Sequence, residues 1–123
     1  MAAPNLIGAA TINGKTTGAN LSTTSATTIL NNPASSGKCL KVNTLNAANF
    51  TSTAANISIN FNTAANIGGT NYPIANTLTV PAYSTLSVID KGTQYYLEEN
   101  QSLGATAGTS NALTITVSYE EIS

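Results

Sequence analysis

The chain has 123 residues, of which 7% are charged, with no His, Arg or Trp and a single Cys. A net charge of −1 carried on so few groups cannot build the cationic footprint that nucleic acid demands. Bases, acids and metal ligands are equally scarce, so we expect no catalysis, no metal and no cofactor.

Leu, Ile, Val and Phe together number 26, enough for one folded domain over residues 1–123 but only a thin core. Thin cores and low surface charge both favour association, so a homo-oligomer is expected, a trimer among the candidates. No run of 18 apolar residues is present, which argues against a membrane-spanning helix.

In chain order, residues 1–5 (Met1-Ala2-Ala3-Pro4-Asn5) are small and aperiodic and read as an extended arm. They lack the basic start and apolar stretch of a signal peptide, which points to synthesis in the cytoplasm. Strands are then expected over Ile7–Ile12, Thr27–Asn31 and Cys39–Leu45. Further strands follow at Ile57–Asn62, Leu78–Val80, Leu86–Val88 and Gln94–Leu97. The clearest is Leu113-Thr114-Ile115-Thr116-Val117-Ser118-Tyr119, whose apolar and hydroxyl residues alternate with period two. Turn signals separate them at Asn13-Gly14, Pro33–Gly37, Gly68-Gly69, Lys91-Gly92 and Gly108–Asn111. Pro73 and Pro81 bracket the strand around Ile74–Val80, and because Pro cannot donate to a ladder they favour an edge strand, or strand ends for both. Ala-Ala-Asn recurs at 47–49, 54–56 and 64–66 with uneven spacing, which reads as loop composition. Residues 118–123, ending Glu120-Glu121-Ile122-Ser123, read as a C-terminal tail. The sum is an all-β antiparallel sandwich of jelly-roll or immunoglobulin-like character with an N-terminal arm.

The candidate chemistry is sparse. Glu98-Glu99 and Glu120-Glu121 are the only carboxylate pairs, and adjacent strand residues point to opposite faces, so neither doublet converges on one substrate. They read as solvated strand ends, and Asp90 reads as a turn residue. Oxygen ligands are too dispersed for calcium. Plentiful Ser and Thr lack an imidazole to activate them. Cys39 reads as a small buried hydrophobe. Tyr72, Tyr83, Tyr95, Tyr96 and Tyr119 are the candidate binding groups, because an aromatic ring beside amides can stack on a sugar, although core caps and subunit contacts account for them more simply. At consecutive strand positions Tyr95 and Tyr96 would turn one ring inward and one outward. Tyr119 reads as core.

Several segments carry a resemblance: Met1-Ala2-Ala3-Pro4-Asn5, Thr11-Ile12-Asn13-Gly14-Lys15-Thr16, Ala34-Ser35-Ser36-Gly37-Lys38 and Thr79-Val80-Pro81-Ala82. Val88-Ile89-Asp90-Lys91, Tyr96-Leu97-Glu98-Glu99 and Val117-Ser118-Tyr119-Glu120-Glu121-Ile122-Ser123 complete it. Over nearly the whole chain these resemble small virion structural proteins of tailed bacteriophages that infect cyanobacteria. The resemblance implies a place in the virion, best on the capsid exterior as a decoration or cement protein bound to the major capsid protein. A tail, neck or fibre component is the alternative, and a carbohydrate-binding receptor module a third reading. The residues expected to touch partners are Ala2, Ala3, Pro4 and Asn5 in the arm, Tyr95 and Tyr96, and Glu120, Glu121 and Ile122 in the tail.

Overall fold

The computed structural model describes residues 7–123. Nine strands form: β1 (Ile12–Leu21), β2 (Thr27–Asn32), β3 (Cys39–Asn49), β4 (Ala55–Asn62), β5 (Asn71–Val80), β6 (Thr85–Ile89), β7 (Tyr95–Leu97), β8 (Gln101–Ala107) and β9 (Leu113–Ile122). They make two antiparallel sheets, one ordered β1-β9-β3-β6 with β7 also on β3, the other β2-β8-β4-β5. The first half of the chain pairs with the second like one long hairpin: β1 with β9, β2 with β8, β3 with β6 and β7, β4 with β5. Consecutive strands β1 and β2 fall in opposite sheets, whereas the first two strands of an immunoglobulin sandwich share one. Of the two characters expected, this nesting is that of a jelly roll.

Period-two alternation builds the core. Leu113, Ile115 and Val117 of β9 and Val42, Leu45 and Ala47 of β3 are buried facing Ile57, Ile59, Leu103 and Ala105 of the other sheet. The opposite faces carry Thr, Ser, Asn and Gly, as the hydroxyl positions predict. Cys39 is buried as expected.

Three buried Asn residues tie the strand ends to their loops. Asn32 donates to the carbonyls of Lys38 and Leu97 and accepts from the Ser36 hydroxyl. Asn49 donates to Thr53 and Val80 carbonyls and accepts from the Thr51 amide and hydroxyl. Asn62 donates to the Gly69 carbonyl and Asn71 Oδ1, and accepts from the Ala64 and Gly69 amides. Each side chain thereby replaces the solvent that its loop backbone has lost. The loop held by Asn62 includes the 3-10 turn Ala65–Ile67, which folds over the outer face of β8. There a Cβ on Gly104 would stand 2.9 Å from Ile67 Cγ2, so this strand position accepts only glycine without a shift.

Several expectations are corrected. Residues 118–123 are no tail: β9 continues to Ile122, because β1 and β3 pair with it on both sides out to its end. The first strand starts at Ile12 rather than ending there, and Asn13-Gly14 lies within it opposite Glu121 and Glu120. β8 is a strand that the sequence reading missed, and Ala-Ala-Asn at 47–49 is the end of β3 rather than loop. The Pro73 strand is an edge as expected, since β5 closes its sheet.

Candidate functional site

No cavity indents the surface of the described residues, and no group of three or more acidic or Cys side chains converges on a metal-sized site among them. What the molecule offers to other molecules is its faces, ends and edges.

The residues singled out from the sequence scatter over these. Ala2, Ala3, Pro4 and Asn5 lie outside the described residues. Tyr95 and Tyr96 are both exposed, at 37% and 46%, correcting the expectation that one turns inward. β7 has only three residues, and Tyr95, though it pairs with the fully buried Val42, stands at the sheet margin where the core no longer covers it. Beside them the Gln94 amide donates to Asn43 Oδ1 at 3.1 Å.

Glu120 and Glu121 are part-buried ion-pair members rather than solvated ends. Glu120 accepts from Asn43 at 3.1 Å and faces Lys41 at 3.9 Å. Glu121, on the opposite face, meets Lys38 at 3.1 Å and Lys15 at 3.3 Å. The hydrogen bond from Lys38 holds the Glu121 carboxyl below its ordinary pKa; burial opposes it, and Lys15 adds to the lowering. Ile122 is buried between Ile12 and Cys39, its register partners. Burial pushes the Cys39 thiol up, and the Glu98 charge pushes it further, so the thiol stays protonated. Asp90 is the turn residue expected: it caps the 3-10 turn Lys91–Thr93, accepting from the Gly92 amide at 2.9 Å.

The charges are distributed unevenly. The loops β1–β2 (22–26), β3–β4 (50–54), β5–β6 (81–84) and β8–β9 (108–112) gather at one end, laced by the bonds Phe50 N–H to Ala112 O, Tyr83 N–H to Thr51 O, and Asn111 N–H to Leu21 O. None of them contains a charged residue. They expose Ser, Thr and Asn around two aromatic rings, Phe50 at 56% and Tyr83 at 73%. All the charged residues stand along the sides or at the opposite end. Tyr83 is one of the five tyrosines that the sequence offers as binding groups, but Phe50 escapes sequence reading because a single aromatic in a turn carries no period; only the fold shows that the two loops adjoin.

The four sheet edges also differ. β5 contains Pro73 and a left-handed Thr77, and its register against β4 shifts twice. The β6–β7 edge along β3 is broken by the Asp90 turn. β2 shifts register between Thr28 and Leu30, and its Asn31 side chain accepts from the Asn66 amide of the loop folded against it. β1 runs ten residues in unbroken register with β9. Comparison with protein family models, curated proteins and solved structures finds no match to this chain.

Proposed function

We propose that the protein is a virion structural component, best read as a capsid decoration protein that seats on the assembled shell and bridges major capsid subunits. The observation that carries this reading is the charge-free loop end, where Phe50 and Tyr83 project from a bed of hydroxyls and amides. Such a surface adheres through apolar contact and neutral hydrogen bonds, with no ions to strip of water. The sequence resemblance to phage structural proteins supports it. Jelly rolls serve in both capsids and lectins, so the fold is compatible with the role without selecting it. Each copy that binds the assembled shell and not free subunits stabilises the shell by mass action.

The same charge-free end favours a second reading, a tail or fibre part, for which an exposed tip rich in Thr, Ser and Tyr is the working surface. A third, saccharide binding, draws on the exposed Tyr95-Tyr96 pair beside Asn43 and Gln94. Mixing the purified protein with shells that lack it separates the three. Saturation at hundreds of copies supports decoration, and a handful of copies per particle means tail or neck. Binding to a glycan array that is lost in Tyr96→Ala means the saccharide reading.

A further inference from the structure

We propose that β1 is the surface through which two copies of this chain join, edge to edge and antiparallel, about a two-fold axis at Thr16. The inference deepens the self-associating part of the reading above and rests on it for the expectation of an oligomer, while the geometry comes from β1 itself.

An open strand edge presents unpaired backbone groups, and proteins that stay apart blunt such edges with Pro, bulges, charge or a covering loop. Three of the four edges here carry those devices: Pro73, Thr77 and two register shifts on β5, the Asp90 turn between β6 and β7, and the shift and covering loop on β2. Of these devices β1 carries only a charge, Lys15, and that ammonium is paired with Glu121 at 3.3 Å. The strand is ten residues long against a usual strand of roughly five or six, and it contains no Pro. Among the described residues it pairs only with β9.

Two glycines give an independent reason. Gly14 and Gly18 lie in the strand interior, where glycine ordinarily weakens a strand. Neither is required by the chain's own packing. A Cβ on Gly14 would meet nothing within 4 Å, one on Gly18 only the Ile115 carbonyl at 3.7 Å, and neither needs a left-handed backbone. Glycine in such a place leaves room for a ligand or another backbone to come close, and both positions are compatible with a neighbouring strand.

The occupant follows from self-complementarity. Antiparallel pairing of β1 with its own copy must match inner face with inner face, which requires the axis to pass through a residue and not between two. An axis at Lys15 would set the two ammonium groups opposite each other, which is unfavourable. One at Thr17 would set buried Leu21 against Asn13. An axis at Thr16 pairs Thr16 with Thr16, Gly14 with Gly18, Lys15 with Thr17 and Ile12 with Asn20. The β1-β9-β3-β6 sheets of the two copies then become continuous, and each edge strand is retired by the other.

The test is the oligomeric state of the full chain together with cross-linking. Sedimentation of the wild type is expected to give twice the 12.5 kDa chain mass. Thr16→Lys, which sets like charges opposite each other, is expected to give a monomer with an unchanged circular dichroism spectrum. Thr16→Cys under mild oxidation is expected to form a disulfide-linked dimer that wild type, with only the buried Cys39, does not form; the Cα spacing across an antiparallel pair, roughly 4.5–5.5 Å, admits the bond. Thr17→Cys is expected to cross-link far less. A monomeric or trimeric wild type, or a dimer that Thr16→Lys leaves intact and Thr16→Cys does not cross-link, overturns the proposal. A monomer that still saturates shells removes edge pairing and leaves the decoration reading standing. A β1-linked dimer that ignores shells does the reverse.

Discussion

The two ends of this sandwich are built by the same device and finished with different chemistry. At the loop end, Asn49 is buried and saturates the turn after β3. At the terminus-bearing end, Asn32 and Asn62 do the same after β2 and β4. The surfaces above these anchors diverge. Around the termini, Lys15, Lys38 and Lys41 face Glu120 and Glu121, whereas the far loops hold hydroxyls, amides, Phe50 and Tyr83. Scaffold and surface are thus separable: the anchors set stability at both ends, and the surface sets what each end can bind.

The largest expected effect tests the scaffold half of that statement. Asn49→Ala removes the donor to the Val80 carbonyl and the acceptor of the Thr51 amide, and Asn32→Ala removes the donor to the Lys38 and Leu97 carbonyls. Leaving buried groups unpaired costs roughly 1–3 kcal/mol, so both variants should shift the urea midpoint down by similar amounts at constant slope. Unequal losses would mean that the ends are not anchored alike, and the comparison would fail at its base.

These anchors mark the limit of what could be read from the sequence. Where large apolar residues alternate with hydroxyls, as in Leu113–Tyr119, one face buries and the other does not, and the strand is legible. β8 escaped notice because its inner face includes Ala105 and Ala107 and its outer face includes Ser102 and Gly104, buried by the loop over them. Residues 118–123 looked like a tail because two glutamates suit solvent; pairing with β1 and β3 outweighs that preference, and Lys15, Lys38 and Lys41 accommodate the charges. Asn49 looked like loop composition, and Asn62 like the polar end of a strand. The one local signal was an Asn whose Oδ1 accepts from the amide two residues on, Thr51 and Ala64 respectively, and that pattern is common wherever chains turn. Of the candidate surface, the loop end was legible as uncharged segments, but their convergence on Phe50 and Tyr83 depends on the jelly-roll nesting.

A smaller effect probes the charged end. Glu121 titrates below its ordinary value in the folded chain, chiefly through Lys38 and then Lys15. A depressed carboxyl stabilises the fold above its unfolded pKa, roughly 4.3, and that contribution disappears as pH falls through the lower folded value. Wild type should therefore exceed Glu121→Gln in stability at neutral pH by no more than about 1 kcal/mol, since solvent reaches both lysine side chains and screens the pairs. The two should converge as the solution is acidified below that range. Hydrogen exchange should show the loosening near Lys15 and Lys38 and leave the Asn49 loop unchanged. A difference that persists in acid would assign the Glu121 effect to packing.

The smallest effect on stability should accompany the largest effect on binding. Phe50→Ser together with Tyr83→Asn removes the exposed rings; Asn suits the left-handed backbone of Tyr83, whose φ is 54°. Surface changes of this kind move stability by about 0.5 kcal/mol or less, so the urea midpoint should hold. If the charge-free end is what docks, the same variant should lose shell binding, because exposed aromatics in a neutral surround are the anchors such contacts use. Ionic strength supplies the converse. Raising salt from about 0.01 M to about 1 M shortens the screening length from roughly 30 Å to roughly 3 Å. Attachment through neutral loops should tolerate that change, and attachment through the lysine–glutamate end should weaken. Shell binding that survives loss of both rings and falls with salt would transfer the docking surface to the opposite end of the molecule, while the Asn anchors beneath both ends would stand as they are.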